Sequence, residues 1–168
     1  FVEVEAQLSR FRADSELSRL NDRAGRGATA VSPLLLRVLS QALAAARKTT
    51  GIFDPTVLSL LRQAGYDRSF ELLAESDGES PRPPVCPGRV GWRQVSLDQA
   101  NGTVELPAGV AIDLGGIAKG WTVDRTSELL CSWGPSLVDA GGIYGPAGCP
   151  AANAGRWLWK TPSTPSRT

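Results

Sequence analysis

Apolar positions along this chain change their spacing between its two halves. Val4, Leu8 and Phe11 recur at three- and four-residue intervals, which predicts a helix over 2–11. Arg12 and Ala13 break that pattern. Asp14 or Ser15 then caps a short helix reaching Asn21, with Leu17 and Leu20 turned inward. The strongest pattern follows. Ser32 is an N-cap, Pro33 stands at the first helical position, and Leu34, Leu35, Val38, Leu39, Ala42, Leu43 and Ala46 form one stripe before Gly51. Asp54 precedes a proline and is kept out of the helical region, so 51–57 reads as a turn into a helix over 57–64. Beyond a Ser-, Asp- and Pro-rich loop over 75–91, the period drops to two. Val95/Leu97 and Val104/Leu106 alternate around Asn101-Gly102, which predicts a hairpin over 92–97 and 103–106.

Residues 109–112 read as a further strand. Asp113, Leu114, Gly115 and Gly116 lead from it into a helix starting at Ile117, whose apolar face is Ile117, Val123, Leu129 and Leu130 and whose stop is Gly134. Leu137-Val138 makes a last strand that ends at Gly141-Gly142. Helices early and strands late, with an antiparallel hairpin, predict an α+β fold: a mixed or antiparallel sheet with helices packed on it. Residues 143–168 carry no period and read as a divergent, disordered tail.

Composition narrows the chemistry. One domain is expected for 168 residues, and 42% hydrophobic residues suffice for a core. A net charge of +1 without a basic stripe argues against nucleic acid as a partner. With no histidine, Ser-His-Asp and Cys-His catalysis are excluded, as is His-ligated zinc. Cys86, Cys131 and Cys149 lack the CxxC spacing of a thiolate metal site. Any metal would be a hard, magnesium-like cation on oxygen ligands. No apolar run approaches a membrane span, and Phe1 is not read as the natural start, so either a leader is missing or the chain is a fragment; the compartment stays open.

The strand–glycine–helix passage is the best candidate for chemistry. Glycines let backbone approach a ligand, and a helix N-terminus offers unpaired N–H groups and partial positive charge. Lys119 adds a full charge in the first turn. The plainer alternative is a tight turn and a solvated lysine. Neither GxGxxG nor GxxxxGK[ST] is present.

DLGGIAKGWTVDR resembles the central motif of the ApbE family, the FAD:protein FMN transferases. LSRFRADSELSRLN, TTGIFDPTVLSLL and SLVDAGG resemble three more of its segments in the same order, over about 8–142. The resemblance implies a layered ApbE-like domain over 1–142, C-terminally truncated. It implies transfer of the FMN half of FAD to a Ser or Thr hydroxyl of a target flavoprotein, with AMP released. Phe11 would stack on the flavin, and Ile52, Phe53 and Asp54 would line its pocket. Asp113 would hydrogen-bond FAD, Lys119 would lie near the phosphates, and Gly116 would give a carbonyl oxygen to Mg2+. The family's remaining metal ligands and its His-x-x-Asp-Pro segment have no counterpart, so little or no transfer is expected. Membrane association would require a lipoprotein leader ahead of Phe1. Two alternatives stand beside this reading: a non-catalytic FAD- or nucleotide-binding relic, and, remotely, a Rossmann-like dehydrogenase module.

Overall fold

The computed structural model describes residues 1–66 and 91–147. The loop expected over 75–91 lies outside the described residues except for Gly91, as does the tail from 148. The chain divides into two compact units, Phe1–Ala118 and Lys119–Thr168.

In the first unit, α1 (Val2–Leu8) buries Leu8. It stops three residues short of the expected end. Ser9 turns extended, and its Oγ accepts the Phe11 N–H at 3.3 Å, so a local side-chain bond displaces the next helical one. Phe11 therefore leaves the helix. α2 (Glu16–Asp22) starts at Ser15, whose Oγ accepts the Ser18 N–H at 3.0 Å, and buries Leu17 and Leu20. Asp14 turns outward instead, hydrogen-bonded at 2.9 Å to the Arg12 guanidinium, which holds its carboxyl below the ordinary carboxylate range.

α3 (Pro33–Lys48) is the scaffold. Ser32 caps it on the Leu35 N–H, while the Glu16 carboxylate accepts the Ser32 N–H and hydroxyl. Leu35, Val38, Leu39, Ala42, Leu43 and Ala46 are buried along one face, as the stripe requires. The helix closes in a Schellman motif. Gly51 N–H donates to Ala46 O at 2.8 Å and Thr50 N–H to Arg47 O at 3.1 Å. The first left-handed position in that motif is Thr50 (φ 55°), an unfavourable place for a β-branched residue, and Gly51 (φ 88°) follows it at positive φ. At the end of α4 (Leu58–Gln63) the equivalent position is Gly65 (φ 88°), where the same geometry is unstrained.

A three-stranded antiparallel sheet, in order β1-β3-β2, is formed by β1 (Thr29–Ala30), β2 (Ser96–Asp98) and β3 (Thr103–Glu105). The hairpin turns at Asn101-Gly102 as expected. Asp98 fixes it by accepting the N–H groups of Ala100 and Asn101, both at 3.0 Å. Trp92–Gln94 is a 3-10 turn rather than the start of a strand. Trp92 folds down onto Leu43 and Ala46, with Phe53, Val95 and Leu97 around it, and burial of the indole sets the backbone there.

Residues 109–112 do not form the expected strand. A single parallel bridge joins Ala111 to Val57. The reason lies in the partners of Ile112 and Asp113, described below.

In the second unit, α5 (Ala118–Leu130) continues from the last residue of the first and buries Thr122, Val123 and Ser127. Of the apolar face expected from Ile117, Val123, Leu129 and Leu130, Val123 is buried, Ile117 and Leu130 are half-buried and Leu129 is exposed. β4 (Ser136–Asp139) pairs antiparallel with β5 (Tyr144–Ala147) across a turn with left-handed Gly141 and Gly142. The stretch read as a disordered tail thus begins with a paired strand. Gly145 lies against α5, where Ser127 Oγ donates to its carbonyl at 3.2 Å. A Cβ on Gly145 would fall within contact-breaking distance of Val123 Cγ1, so only glycine fits there. Among the described residues, no helix is long and apolar enough to cross a membrane.

Two substitutions test this account by urea denaturation. Leu39→Ala, at a fully buried site, should lower unfolding free energy by about 2–5 kcal/mol. Thr50→Gly should raise it by about 1 kcal/mol, because it removes a side chain from a left-handed backbone.

Candidate functional site

The central element is the loop from Ala111 to Gly116. Its backbone is held by side chains and carbonyls from distant sequence. Asn21, in the last turn of α2, accepts the Ile112 N–H at 2.7 Å and donates Nδ2–H to the Ile112 carbonyl at 2.9 Å. One amide side chain thereby satisfies both polar groups of a fully buried residue, as a neighbouring strand would. The Asp113 N–H donates to Pro55 O at 2.8 Å. These bonds replace the ladder that 109–112 was expected to join. They also bring the Phe53–Pro55 turn beside the loop.

The Asp113 carboxylate has two partners. Oδ1 accepts the Gly115 N–H at 2.7 Å. Oδ2 lies 3.5 Å from Arg10 Nε in an ion pair whose side chains are only 12% and 13% exposed. Leu114 O then accepts the N–H groups of Ile117 and Ala118 at 3.0 and 2.8 Å, which opens α5. The anion beside this turn is the chain's own carboxylate, which closes an Asx turn on Gly115 ahead of the helix. Any ligand oxygen would share the N–H groups of this turn with Asp113.

Both glycines stand in close approach to side chains of the chain itself. A Cβ at Gly115 would lie 3.1 Å from Asp113 Oδ1, and one at Gly116 would lie 3.0 Å from Phe53 Cε2. Phe53 is itself anchored by Thr49 Oγ1, which accepts its N–H at 3.0 Å. Asp54 does not cap α4, whose N-cap is Val57 without a side-chain bond. Its Oδ1 accepts the N–H and hydroxyl of Thr56 at 2.8 and 2.6 Å, shaping the turn that presents the Pro55 carbonyl.

Phe11 is 53% exposed and Ile52 93% exposed. The Arg10 guanidinium covers the Phe11 ring, with Cζ 4.4 Å from its centroid. Of the residues singled out from sequence, Phe53, Asp54, Asp113 and Gly116 are drawn together at this loop. Phe11 is linked to it through Arg10, and Ile52 stands open in the turn before Phe53. Lys119 is exposed in the first turn of α5, in the second unit.

Few acidic donors gather at this loop among the described residues. Among the described residues, no three Asp, Glu, Cys or His side chains gather closely enough to hold an ion. Gly116 brings at most a carbonyl, whereas a hard cation takes roughly six oxygens. No magnesium site is assembled by the described residues alone.

Sequence reasoning missed Arg10 and Asn21. Both lie inside the LSRFRADSELSRLN segment, but nothing in their local pattern reports partners some hundred residues away. The one available signal was an asparagine closing a short amphipathic helix, which suits capping equally well.

This arrangement defines an α+β chain with small antiparallel sheets and a glycine loop clamped between a helix end and an Asp-Pro turn. The ApbE family profile matches residues 1–160, and the chain belongs to that family. The match runs past Gly142, where the resemblance seemed to stop. The chain is 35% identical over 148 residues to an FAD:protein FMN transferase of Treponema pallidum (strain Nichols), covering 82% of this chain and 39% of that protein. It is 31% identical over 151 residues to one of Vibrio cholerae, covering 83% and 42%. The crystal structure of an ApbE protein from Thermotoga maritima superposes with a TM-score of 0.69 at 28% identity, covering 86% of this chain and 47% of that one. The flavin transferase ApbE from Vibrio cholerae also gives 0.69 at 28%, covering 87% and 47%. The chain thus spans about two fifths of the curated relatives' length.

The clamp has a direct test. Asn21→Ala leaves the buried polar groups of Ile112 without partners and should cost about 1–3 kcal/mol of unfolding free energy. Unchanged stability in urea would mean that the loop is held by packing alone.

Proposed function

We propose that this chain carries the flavin-binding part of an FAD:protein FMN transferase. The observation that supports it is the gathering, around one clamped loop, of three segments far apart in sequence: Arg10-Phe11, Phe53-Asp54-Pro55 and Asp113 to Gly116. Each belongs to a motif shared with the family. In this reading the open Phe11 ring stacks on the flavin, Ile52 to Asp54 line its edge, and Asp113 hydrogen-bonds FAD. Lys119 offsets charge on the phosphates.

The reaction of the family is attack by an acceptor Ser or Thr hydroxyl oxygen on the phosphorus of the FMN half. A new phosphoester bond forms, the pyrophosphate P–O bond breaks, and AMP leaves while the hydroxyl proton passes to solvent or a base. Such a step needs neutralised phosphate oxygens and fixed ends of FAD. A Mg2+ ion drawing on the Gly116 carbonyl would have to take its other oxygens from beyond the described residues, and no step is routed through it. The acceptor is a flavoprotein with an exposed Ser or Thr.

Because the described residues provide few metal donors, a binding-only role is the second reading. FAD titration by flavin fluorescence, with and without Mg2+ and with AMP measured in the same samples, separates the two. Saturable FAD binding with little or no AMP is expected. Magnesium-dependent AMP release would restore the full reaction to this chain, and absence of binding by the folded protein would end both readings. Phe11→Ala should weaken FAD binding on the order of tenfold if the ring stacks on the isoalloxazine.

A further inference from the structure

Arg10 touches both Phe11 and Asp113, and none of the site roles above uses it. Its guanidinium faces the Phe11 ring at 4.4 Å, stands 3.5 Å from Asp113 Oδ2, and donates from Nη1 to the Tyr66 carbonyl at 2.7 Å. Three different partners fix one planar group, and at 13% exposure it has little room to move. Arginine suits this post because it is flat, always charged and able to stack and pair at once.

We propose that Arg10 is a positioning residue of the flavin site. It holds the Phe11 ring as a one-sided platform and keeps Asp113 neutralised as a pair. This rests on the reading of Phe11 and Asp113 as FAD contacts. The guanidinium covers one ring face, and Phe11 remains half exposed, so a planar heteroaromatic ring has an open surface on which to stack. The ion pair has a second consequence. A bare carboxylate beside an anionic dinucleotide would repel it, whereas a paired one leaves its remaining lone pairs to accept hydrogen bonds without net charge. Arg10 therefore links the stacking contact to the polar contact, and the two should fail together.

The test is FAD titration of the full chain with Arg10→Met, Arg10→Lys, Phe11→Leu and the Arg10→Met/Phe11→Leu double variant. Affinity and the visible absorbance of bound flavin are both read. Arg10→Met is expected to weaken FAD about tenfold in the native background but less than about threefold when Phe11 is already Leu, because the platform it holds is gone. Arg10→Lys, which keeps charge but cannot stack flat, should give an intermediate affinity and a shifted flavin spectrum. A merely structural arginine would cost the same in both backgrounds and leave the bound spectrum unchanged. If Arg10→Met fails to fold, Arg10→Lys carries the test through its spectrum and its own cycle with Phe11→Leu. Binding by all Arg10 variants within twofold of the native chain, or equal losses in both backgrounds, overturns the proposal for Arg10 alone. No FAD binding by the unsubstituted chain overturns it together with the proposed function.

Discussion

The paired hydrogen bonds between Asn21 and the Ile112 backbone are the constraint on which the first unit depends. A buried peptide group must find partners, and at Ile112 both come from one amide on α2. Once Ile112 is held, Asp113 is placed to donate to Pro55, its carboxylate reaches Gly115 and Arg10, and Leu114 opens α5. Remove the clamp and the loop keeps the bridge at Ala111 and the Asp113 N–H bond to Pro55 O, but the buried peptide groups of Ile112 lose their partners. The three segments of the candidate site converge because a single side chain substitutes for a strand.

The same geometry explains why the glycines are glycines. At Gly115 and Gly116 a Cβ would press on Asp113 Oδ1 and Phe53 Cε2, at 3.1 and 3.0 Å, so either side chain would have to give. Tight internal packing and readiness for a ligand are not opposed here. The packing holds Phe53 and the Asp113 carboxylate at fixed places, which is the preorganisation that a binding site for a large planar cofactor needs. Rigidity in the loop is balanced by exposure around it, where Phe11 and Ile52 remain open to solvent.

What the sequence disclosed follows the range of the forces involved. The start of α3 was readable because Ser32, Pro33 and the apolar stripe act within a few residues of one another, and the hairpin was readable from Asn101-Gly102. The α+β class followed from the order of these elements. Contacts of long sequence separation were not readable. Residues 109–112 have strand-like composition, yet Asn21 occupies the ladder positions of Ile112. Trp92 and Gln94 alternate in pattern with a strand, yet the burial of Trp92 on α3 bends them into a turn. Leu129 lies six residues from Val123, about 120° away round the helix, so the face that packs Val123 and Ser127 against Gly145 leaves it exposed. The site followed the same rule: its motif residues could be named, while the arginine and asparagine that organise them could not.

The central claim is that one clamped loop gathers three segments into a flavin site. Hydrogen exchange of backbone amides in the folded chain, with and without saturating FAD, tests it most directly. The account predicts added protection in 9–12, 52–57 and 111–117 together. Protection confined to one of them, or elsewhere in the chain, would contradict it.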